Sequence, residues 1–242
     1  MRVSRLYIDQ ALNVGGHIEV NDDAAHYVRT VLRLKQADAI VLFNGRGGEY
    51  LGHFSEISRK RVAIAVEHCV ARDVESALSV TLGLGISRGD RMDWAVQKAV
   101  ELGVASITPL LTERCVTRLD SDKKQQRCQH WQSIAQHAAE QCGRTRLAAF
   151  GDIAELSDWM AAQQGLRVFL DPHGAQTLAD LQPEDGNLTL LSGPEGGFSE
   201  RERELARAAG FVPVRMGSRI LRSETAVLAA LSAVQVLWGD MR

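Results

Sequence analysis

Hydrophobic and polar positions follow two different patterns along this chain. Up to about residue 70, short runs rich in β-branched and aromatic residues are separated by polar turns, which is typical of β-strands. The runs are GHIEV, DAIVLF, EYLGHFSEI and RVAIAVEHCV. NGRGG, between the second and third runs, predicts a hairpin because Asn and Gly tolerate positive φ. One helical pattern, DDAAHYVRTVLRL, begins at an N-cap formed by Asn21 or Asp22. This part of the chain therefore predicts a small β-barrel with one helix.

From Leu78 onward, predicted strands alternate with predicted helices. The strands are LSVTLGLGI, SITPLL, LRVFLD, LTLLSG and FVPVRM. The helices are DWAVQKAVEL with Asp93 as its cap, residues 122–142, ELSDWMAAQQ, and ETAVLAALSAVQVLWGD, which is apolar almost all round and must be buried. Such alternation builds a parallel sheet covered by helices. With ARDVES as the linker, we predict a β-barrel domain over residues 1–72 and an α/β domain over residues 73–242.

Composition limits the partners and the compartment. The 242 residues carry a net charge of −2, so the molecule as a whole has no electrostatic footprint for nucleic acid or a membrane. The four cysteines lack CxxC spacing and form no metal-ligand pattern with the seven histidines, so we predict no metal. Free thiols, the absence of an apolar signal core in MRVSRLYIDQ and the absence of a membrane-spanning run predict a cytoplasmic protein.

GLGISRGD is a near match to a dinucleotide-binding fingerprint. That fingerprint needs G-x-G-x-x-G at the turn from strand to helix. Here Gly83 and Gly85 fall inside the apolar strand, and the third glycine is one residue late. We interpret the glycines as small residues that allow close packing, and we expect Arg88 and Arg91 at the carboxyl end of the strand, where ligand sites of open α/β sheets lie.

LSGPEGGFSE leads from a predicted strand through a glycine-rich turn into a helix. Ser199 and Glu202 form a capping box at the helix start. Glycines let backbone groups approach a ligand closely. A Walker loop would carry a lysine after its last glycine, whereas this turn carries Phe198. The carboxylate of Glu195 would repel a phosphate, so the turn favours hydroxyls, an amino group or a cation.

MGSRILRSETA also follows a strand and precedes a helix, for which Ser223 is the predicted N-cap. The Ile220–Leu221 pair supplies an apolar wall of the kind that an adenine ring prefers. Arg219 and Arg222 flank this wall and suit an anionic substrate.

GPEGGFS and GSRILRSETA together resemble the two signature loops of the SPOUT (α/β-knot) methyltransferases. Within them, the chain is similar to the 16S ribosomal RNA uracil-N3 methyltransferases. HYVRTVLRLK, QKAVELGVASITPL and EQCGR support the resemblance, which covers nearly the whole chain in order. Met216 and Ser223 stand where the family pattern has Leu and Thr.

The resemblance implies a trefoil-knotted α/β methyltransferase domain that binds S-adenosylmethionine in three loops. It also implies a homodimer with the donor site at the interface, into which the apolar last helix would fit. The donor-binding residues implied in this sequence are Leu170, Gly193, Pro194, Glu195, Gly196, Gly197, Met216, Gly217, Ile220, Leu221 and Thr225.

The implied reaction is methyl transfer to N3 of a uridine in 16S ribosomal RNA, with the assembled small subunit as the expected substrate and free RNA as the alternative. N3 must lose its proton, and negative charge then develops on the uracil oxygens. Arg222 is suited to stabilise that charge. Either Glu195 or Glu224 is suited to accept the proton or to position a group that does. The alternatives are methylation of another RNA base or of a 2′-hydroxyl, a non-catalytic RNA-binding protein, and a nucleotide-binding oxidoreductase, which the misplaced glycines argue against.

The first domain resembles a PUA-like RNA-binding module. Arg29 and Arg33 would share one face of its helix at a spacing of four residues, and Arg5 lies on the same domain. We therefore predict that Arg5, Arg29, Arg33, Arg88 and Arg91 bind RNA.

Overall fold

The computed structural model describes residues 3–115 and 121–241. The chain divides into two compact units. The first contains Met1–Glu75 together with Ala139–Leu147, and the second contains Ser76–Ala138 together with Ala148–Arg242. The first unit is therefore not one continuous stretch of chain.

A five-stranded sheet forms the first unit. Its strands are β1 (Ser4–Tyr7), β2 (His17–Glu19), β3 (Ala39–Phe43), β4 (Glu49–Ile57) and β5 (Val62–Val70), in the order β1-β3-β4-β5-β2. β1 runs parallel to β3, and the other neighbours are antiparallel. The sequence pattern predicted the last four strands and missed β1. The NGRGG turn joins β3 to β4, with positive φ at Gly45, Gly47 and Gly48.

The helical segment of the first unit is shorter than its pattern predicts. α1 (Asp22–His26) is capped by Asn21, whose Oδ1 accepts a hydrogen bond of 2.9 Å from the backbone N–H of Ala24. A single π-helical turn then covers Tyr27–Val31. Arg33 follows in the left-handed region with φ of 52°, so the helix does not continue to residue 34. The expectation that Arg29 and Arg33 share one helix face is therefore wrong.

Two arginines that form ion pairs with Glu49 hold the segment Ala139–Leu147 in the first unit. Glu49 forms salt bridges with Arg5 and with Arg72, the second at 3.0 Å. The same two arginines donate hydrogen bonds of 3.0 Å to carbonyls of this segment, Arg5 to Arg144 and Arg72 to Gly143. The EQCGR motif thus completes this unit through its backbone.

The second unit is built on a parallel sheet covered by helices, as predicted. Its strands are β6 (Ser79–Gly85), β7 (Ser106–Leu111), β8 (Ala149–Phe150), β9 (Ala154–Glu155), β10 (Leu166–Leu170), β11 (Asn187–Ser192) and β12 (Val212–Val214). The order is β12-β10-β11-β6-β7-β8, and β9 also pairs with β7. All of these pairings are parallel. The carboxyl ends of β6, β10, β11 and β12 therefore meet at one edge of the sheet.

The helices of the second unit are α2 (Asp90–Glu101), α4 (Leu156–Ala161), α5 (Glu200–Ala208), α6 (Ser223–Leu237) and the larger part of α3 (Ser121–Cys142), whose end from Ala139 onward belongs to the first unit. The predicted capping box of α5 is present, since Ser199 and Glu202 exchange hydrogen bonds of 3.1 and 2.7 Å. Two predicted caps are wrong. Gly89 precedes α2, and Asp93 instead accepts a hydrogen bond of 3.1 Å from the indole of Trp131.

The second wrong cap is at α6. Arg222 holds the N-cap position with extended backbone, and Ser223 is the first helical residue. In the middle of α6, Val227, Ala230, Leu231 and Val234 are fully buried. Near its end, however, Val236 is 54% exposed. No helix in the described ranges of the chain is both long enough and apolar enough to cross a membrane.

Close packing explains the glycines of GLGISRGD. A Cβ on Gly83 would lie 2.4 Å from the Trp159 ring of α4, and a Cβ on Gly85 would lie 2.6 Å from Cδ of Pro194. β6 therefore carries glycine where α4 and the turn after β11 press against it.

Candidate active site

Three loops at the carboxyl edge of the parallel sheet enclose a cavity of about 500 Å³. The loops follow β10, β11 and β12. A volume of this size is typical of a small-molecule site. The predicted residues that line it are Leu170, Gly193, Pro194, Glu195, Gly196, Gly197, Met216, Gly217, Ile220, Leu221, Arg91 and Arg222. Arg88, Glu224 and Thr225 were also predicted as site residues but do not line the cavity.

The turn after β11 is shaped by its glycines and by the strand beneath it. Gly197 has φ of 64°, and its N–H donates a hydrogen bond of 2.8 Å to the carbonyl of Pro194. The missing side chain of Gly85 lets Pro194 lie directly on the end of β6. The backbone of the turn is therefore held at the cavity wall without bulky side chains in front of it.

Glu195 clamps this turn to the loop after β6. One oxygen, Oε1, accepts hydrogen bonds from the backbone N–H of Arg88 at 2.9 Å and from Nη1 of Arg91 at 3.1 Å. Burial alone would raise the pKa of Glu195, but these hydrogen bonds and the Arg91 charge outweigh it, so the pKa lies below its ordinary value. A carboxylate that is held ionised in this way is a weak proton acceptor.

A second set of contacts fixes the same turn from the loop after β7. Arg114 donates a hydrogen bond of 2.9 Å to the carbonyl of Gly196. Glu202, the buried capping residue of α5, also accepts a hydrogen bond of 2.8 Å from the backbone N–H of Glu113. The capping role of Glu202 was predictable from its spacing to Ser199, whereas no local pattern indicates this second bond.

The loop after β12 supplies an apolar wall and free cations. Ile220 is 83% exposed although it is aliphatic, and it lines the cavity beside Leu221. Arg222 is exposed at the start of α6 and makes no ion pair with any residue in the described part of the chain. Arg222 therefore does not form the salt bridge with Glu224 that a purely structural role at the start of α6 would predict.

Asp171, directly after β10, is a buried acid that sequence reasoning missed. It is 3% exposed, and its Oδ1 accepts a hydrogen bond of 2.9 Å from the backbone N–H of His173. Arg203 and Arg207 lie 3.6 and 4.0 Å from its oxygens. Its Oδ2 has no hydrogen-bond partner among the described residues. Since buried carboxylate oxygens are normally hydrogen-bonded, this oxygen fits a donor from a ligand.

The arginines predicted to bind RNA occupy different settings. The side chain of Arg5 is 8% exposed and lies between Glu49 and the ring of Phe43, which leaves it unavailable to a phosphate. Arg29 donates hydrogen bonds of 2.8 Å to the carbonyls of Ser58 and Arg59. Arg33, by contrast, is exposed.

No group of three or more His, Cys, Asp or Glu side chains within the described ranges is arranged to hold a metal ion.

Comparison with known proteins matches both units. An RNA methyltransferase domain family model matches residues 74–235, and an RNA methyltransferase PUA domain model matches residues 20–67. The ribosomal RNA small subunit methyltransferase E of Buchnera aphidicola subsp. Schizaphis graminum is 32% identical, covering 99% of this chain and 98% of that protein.

Two solved structures are similar to the chain over its whole length. One is the methyltransferase Lpg2936 from Legionella pneumophila in complex with bound SAM, at 35% identity and a TM-score of 0.96. The other is a ribosomal RNA small subunit methyltransferase E from Neisseria gonorrhoeae bound to S-adenosyl methionine, at 35% identity and a TM-score of 0.93. Both comparisons cover 100% of each chain.

Proposed function

Because this chain belongs to the RNA methyltransferase family, we propose that it transfers the methyl group of S-adenosylmethionine to N3 of a uridine in the 16S RNA of the small ribosomal subunit. The cavity enclosed by the loops after β10, β11 and β12 carries this proposal. The similar proteins from Legionella pneumophila and Neisseria gonorrhoeae were solved with that donor bound.

The lining of the cavity suits the chemical parts of this donor. The backbone of the glycine turn offers hydrogen-bonding groups, and Ile220 and Leu221 offer an apolar surface for adenine. Oδ2 of Asp171, which has no hydrogen-bond partner among the described residues, suits a hydroxyl or the ammonium group of the methyl donor. When bound, S-adenosylmethionine supplies a methyl group on a cationic sulfonium, so the chain itself needs only to place and activate the acceptor.

The acceptor atom sets the remaining requirements. Uracil N3 carries a proton, and as this proton leaves, negative charge spreads to the two carbonyl oxygens. Arg222 lies at the cavity wall without a competing acid among the described residues, and we assign it to stabilise that charge. Arg33 and Arg91 are exposed cations that suit RNA phosphates, although Arg91 also holds Glu195.

The proposal includes a homodimer that acts on small subunits in the cytoplasm, where ribosomes are assembled. The exposed apolar residues at the end of α6, Val236 and Leu237, support a surface that a second copy covers.

Transfer of a labelled methyl group tests the substrate. Small subunits from cells that lack the modification are incubated with the protein and labelled donor, and free 16S RNA serves as the comparison. We expect label in the 16S RNA of the subunits. Binding of RNA without any transfer would instead indicate a non-catalytic RNA-binding protein.

A further inference from the structure

Two carboxylates near the cavity, Glu195 and Glu224, differ in what they can do with a proton. Glu195 already accepts hydrogen bonds from Arg88 and Arg91 through one oxygen and is held ionised by them. Its contacts are those of a clamp between two loops. Uptake of a proton there would weaken the attachment of the glycine turn.

Glu224 has a different environment. It lies in the first turn of α6, and it makes no ion pair with any residue of ranges 3–115 and 121–241. Its Oε2 accepts a hydrogen bond of 3.1 Å from the hydroxyl of Ser223. Glu224 does not line the cavity, but Ser223 does. The hydroxyl of Ser223 therefore stands between this carboxylate and the cavity.

Ser87 lies in contact with the hydroxyl of Ser223. It is 4% exposed at the end of β6, and its Oγ lies 3.4 Å from Oγ of Ser223. A hydroxyl has one hydrogen to donate and two lone pairs. When Ser223 donates its hydrogen to Glu224, Ser87 is the donor of the contact between the two serines. One lone pair of Ser223 then remains for a donor in the cavity.

An imide N–H is a donor of this kind. We infer that Glu224 takes up the N3 proton of the acceptor uracil through the hydroxyl of Ser223, while Ser87 positions that hydroxyl. This inference rests on the proposed function. The N3 proton passes to Oγ of Ser223 as the hydroxyl hydrogen passes to Oε2 of Glu224, and the N3 electron pair forms the new bond to the methyl carbon. The bond between that carbon and sulfur breaks, and its electrons stay on sulfur.

The relay requires a hydroxyl at residue 223 but not serine itself. Threonine carries the same hydroxyl and is tolerated in the first turn of a helix. Ser223→Thr is therefore the conservative variant, and Ser223→Ala removes the relay with little change of volume. Glu224→Gln keeps the shape of the acceptor but removes its basicity. Glu204, exposed on α5, provides a matched control as Glu204→Gln.

Changing the acidity of N3–H in the acceptor base distinguishes a proton relay from a structural role of Ser223 and Glu224. Small subunits are reconstituted with 16S RNA that contains either uridine or 5-fluorouridine, since fluorine withdraws electrons and makes N3–H more acidic. Single-turnover methyl transfer is then measured at saturating donor. On uridine RNA we expect Ser223→Ala and Glu224→Gln to slow transfer by about 100-fold, the usual contribution of a proton-transfer group.

On 5-fluorouridine RNA the same two defects should shrink to less than about tenfold, because the base needs less help to lose its proton. Ser223→Thr should stay within about threefold of the wild type on both RNAs. Ser87→Ala should show a smaller loss that also shrinks on the fluorinated RNA. Equal defects on the two RNAs, or wild-type rates for Ser223→Ala, would overturn the relay.

The product of the wild-type enzyme separates this failure from failure of the proposed function. If the wild type makes 3-methyluridine but the variants show equal defects on the two RNAs, or Ser223→Ala keeps the wild-type rate, only the relay is wrong. If the wild type methylates a different atom, both the relay and the proposed acceptor are wrong.

Discussion

The carboxylate of Glu195 lies 3.1 Å from Nη1 of Arg91 and thereby joins the glycine turn to the start of α2, although the two residues are 104 positions apart in sequence. It also accepts the backbone N–H of Arg88. Since both bonds end on the same oxygen, removal of this one side chain breaks both links between the glycine turn and the segment after β6, while Arg114 still holds the carbonyl of Gly196. A methyl donor that binds against this turn would then have to order the segment after β6.

Glu195→Ala is therefore expected to weaken donor binding by about tenfold, the size of one hydrogen bond to a charged group. At saturating donor, the single-turnover rate should fall far less than in Glu224→Gln. Calorimetry measures the affinity, with Glu204→Ala as an exposed control. A loss confined to the rate, at unchanged donor affinity, would show that Glu195 acts in the chemical step.

The pH dependence of the clamp follows from the lowered pKa of Glu195. Its stabilising effect is fully present above the ordinary pKa of 4.5 and is lost as the pH falls through the lower value of the folded protein. Donor affinity should therefore not change through Glu195 between about pH 7 and pH 5. Calorimetry across this range, with Glu195→Ala as reference, checks the expectation. A wild-type affinity that declines already near pH 6, with no decline in the variant, would contradict it.

Asp171 is predicted to accept a hydrogen bond from a hydroxyl or ammonium group of S-adenosylmethionine. Asp171→Asn keeps the volume and the contact with His173 but changes the free oxygen and removes the charge. We expect donor affinity to fall by about 10- to 100-fold. Thermal unfolding provides the control, because Arg203 and Arg207 also lose their acid. A large drop in melting temperature with unchanged affinity would restrict Asp171 to an ion-pair role.

Arg222 is predicted to stabilise charge on the acceptor base. Arg222→Ala should slow turnover by about 100-fold, by analogy with loss of one oxyanion donor, and should leave donor affinity nearly unchanged. Single-turnover kinetics with saturating donor and RNA measure the effect. Turnover at the wild-type rate with a lower melting temperature would indicate a purely structural residue.

Glu49 is predicted to be essential for the stability of the first unit. Burial raises the pKa of Glu49, but the hydrogen bonds and charges of Arg5 and Arg72 outweigh this effect. The pKa therefore lies below its ordinary value, and the acid is ionised in the folded unit. Glu49→Gln would leave the buried Arg5 without a counter-charge, at a cost of about 3 kcal/mol. Glu56→Gln, on the exposed Arg61 pair, is the control and should change stability by less than about 1 kcal/mol.

The aromatic residues allow the two units to be followed separately. Tyrosines occur only in the first unit, at Tyr7, Tyr27 and Tyr50, and tryptophans only in the second, at Trp94, Trp131, Trp159 and Trp238. When unfolding in urea is followed by fluorescence, Glu49→Gln should shift the midpoint of the tyrosine transition much more than that of the tryptophan transition. Equal shifts of both signals would contradict a local role.

The end of α6 is predicted to contact a second copy of the chain. Leu231 and Val234 are fully buried in the unit, so an acid there would test folding rather than association. Val236→Asp places the charge on the exposed surface instead and should convert a dimer to monomers with little loss of melting temperature. Sedimentation at micromolar concentration distinguishes the forms, and a monomeric wild type would refute the dimer.

Much of the fold was predictable because local patterns agree with the tertiary structure. EYLGHFSEI and SITPLL match β4 and β7 residue for residue, and the capping box of α5 is present. The family resemblance inferred from the two glycine loops is confirmed by the family model and by relatives of similar length. These features are encoded within a few neighbouring residues.

Features that depend on distant residues were not predictable in this way. β1 is only four residues long and is defined by its parallel pairing with β3. Arg5 looks like a surface cation in the sequence, but Glu49 and Arg144 bury it. The free oxygen of Asp171 and the contact of Ser87 with Ser223 likewise arise only when separate strand ends meet at one edge of the sheet.

The identity of the methylated atom tests the central claim most directly. Small subunits that lack the modification are treated with wild-type protein and S-adenosylmethionine, and the 16S RNA is digested to nucleosides for mass spectrometry against synthetic standards. The proposed function predicts one new nucleoside, 3-methyluridine, which appears only when both donor and protein are present. A 2′-O-methylated nucleoside, a methylated base other than uracil, or no new nucleoside at all would contradict it.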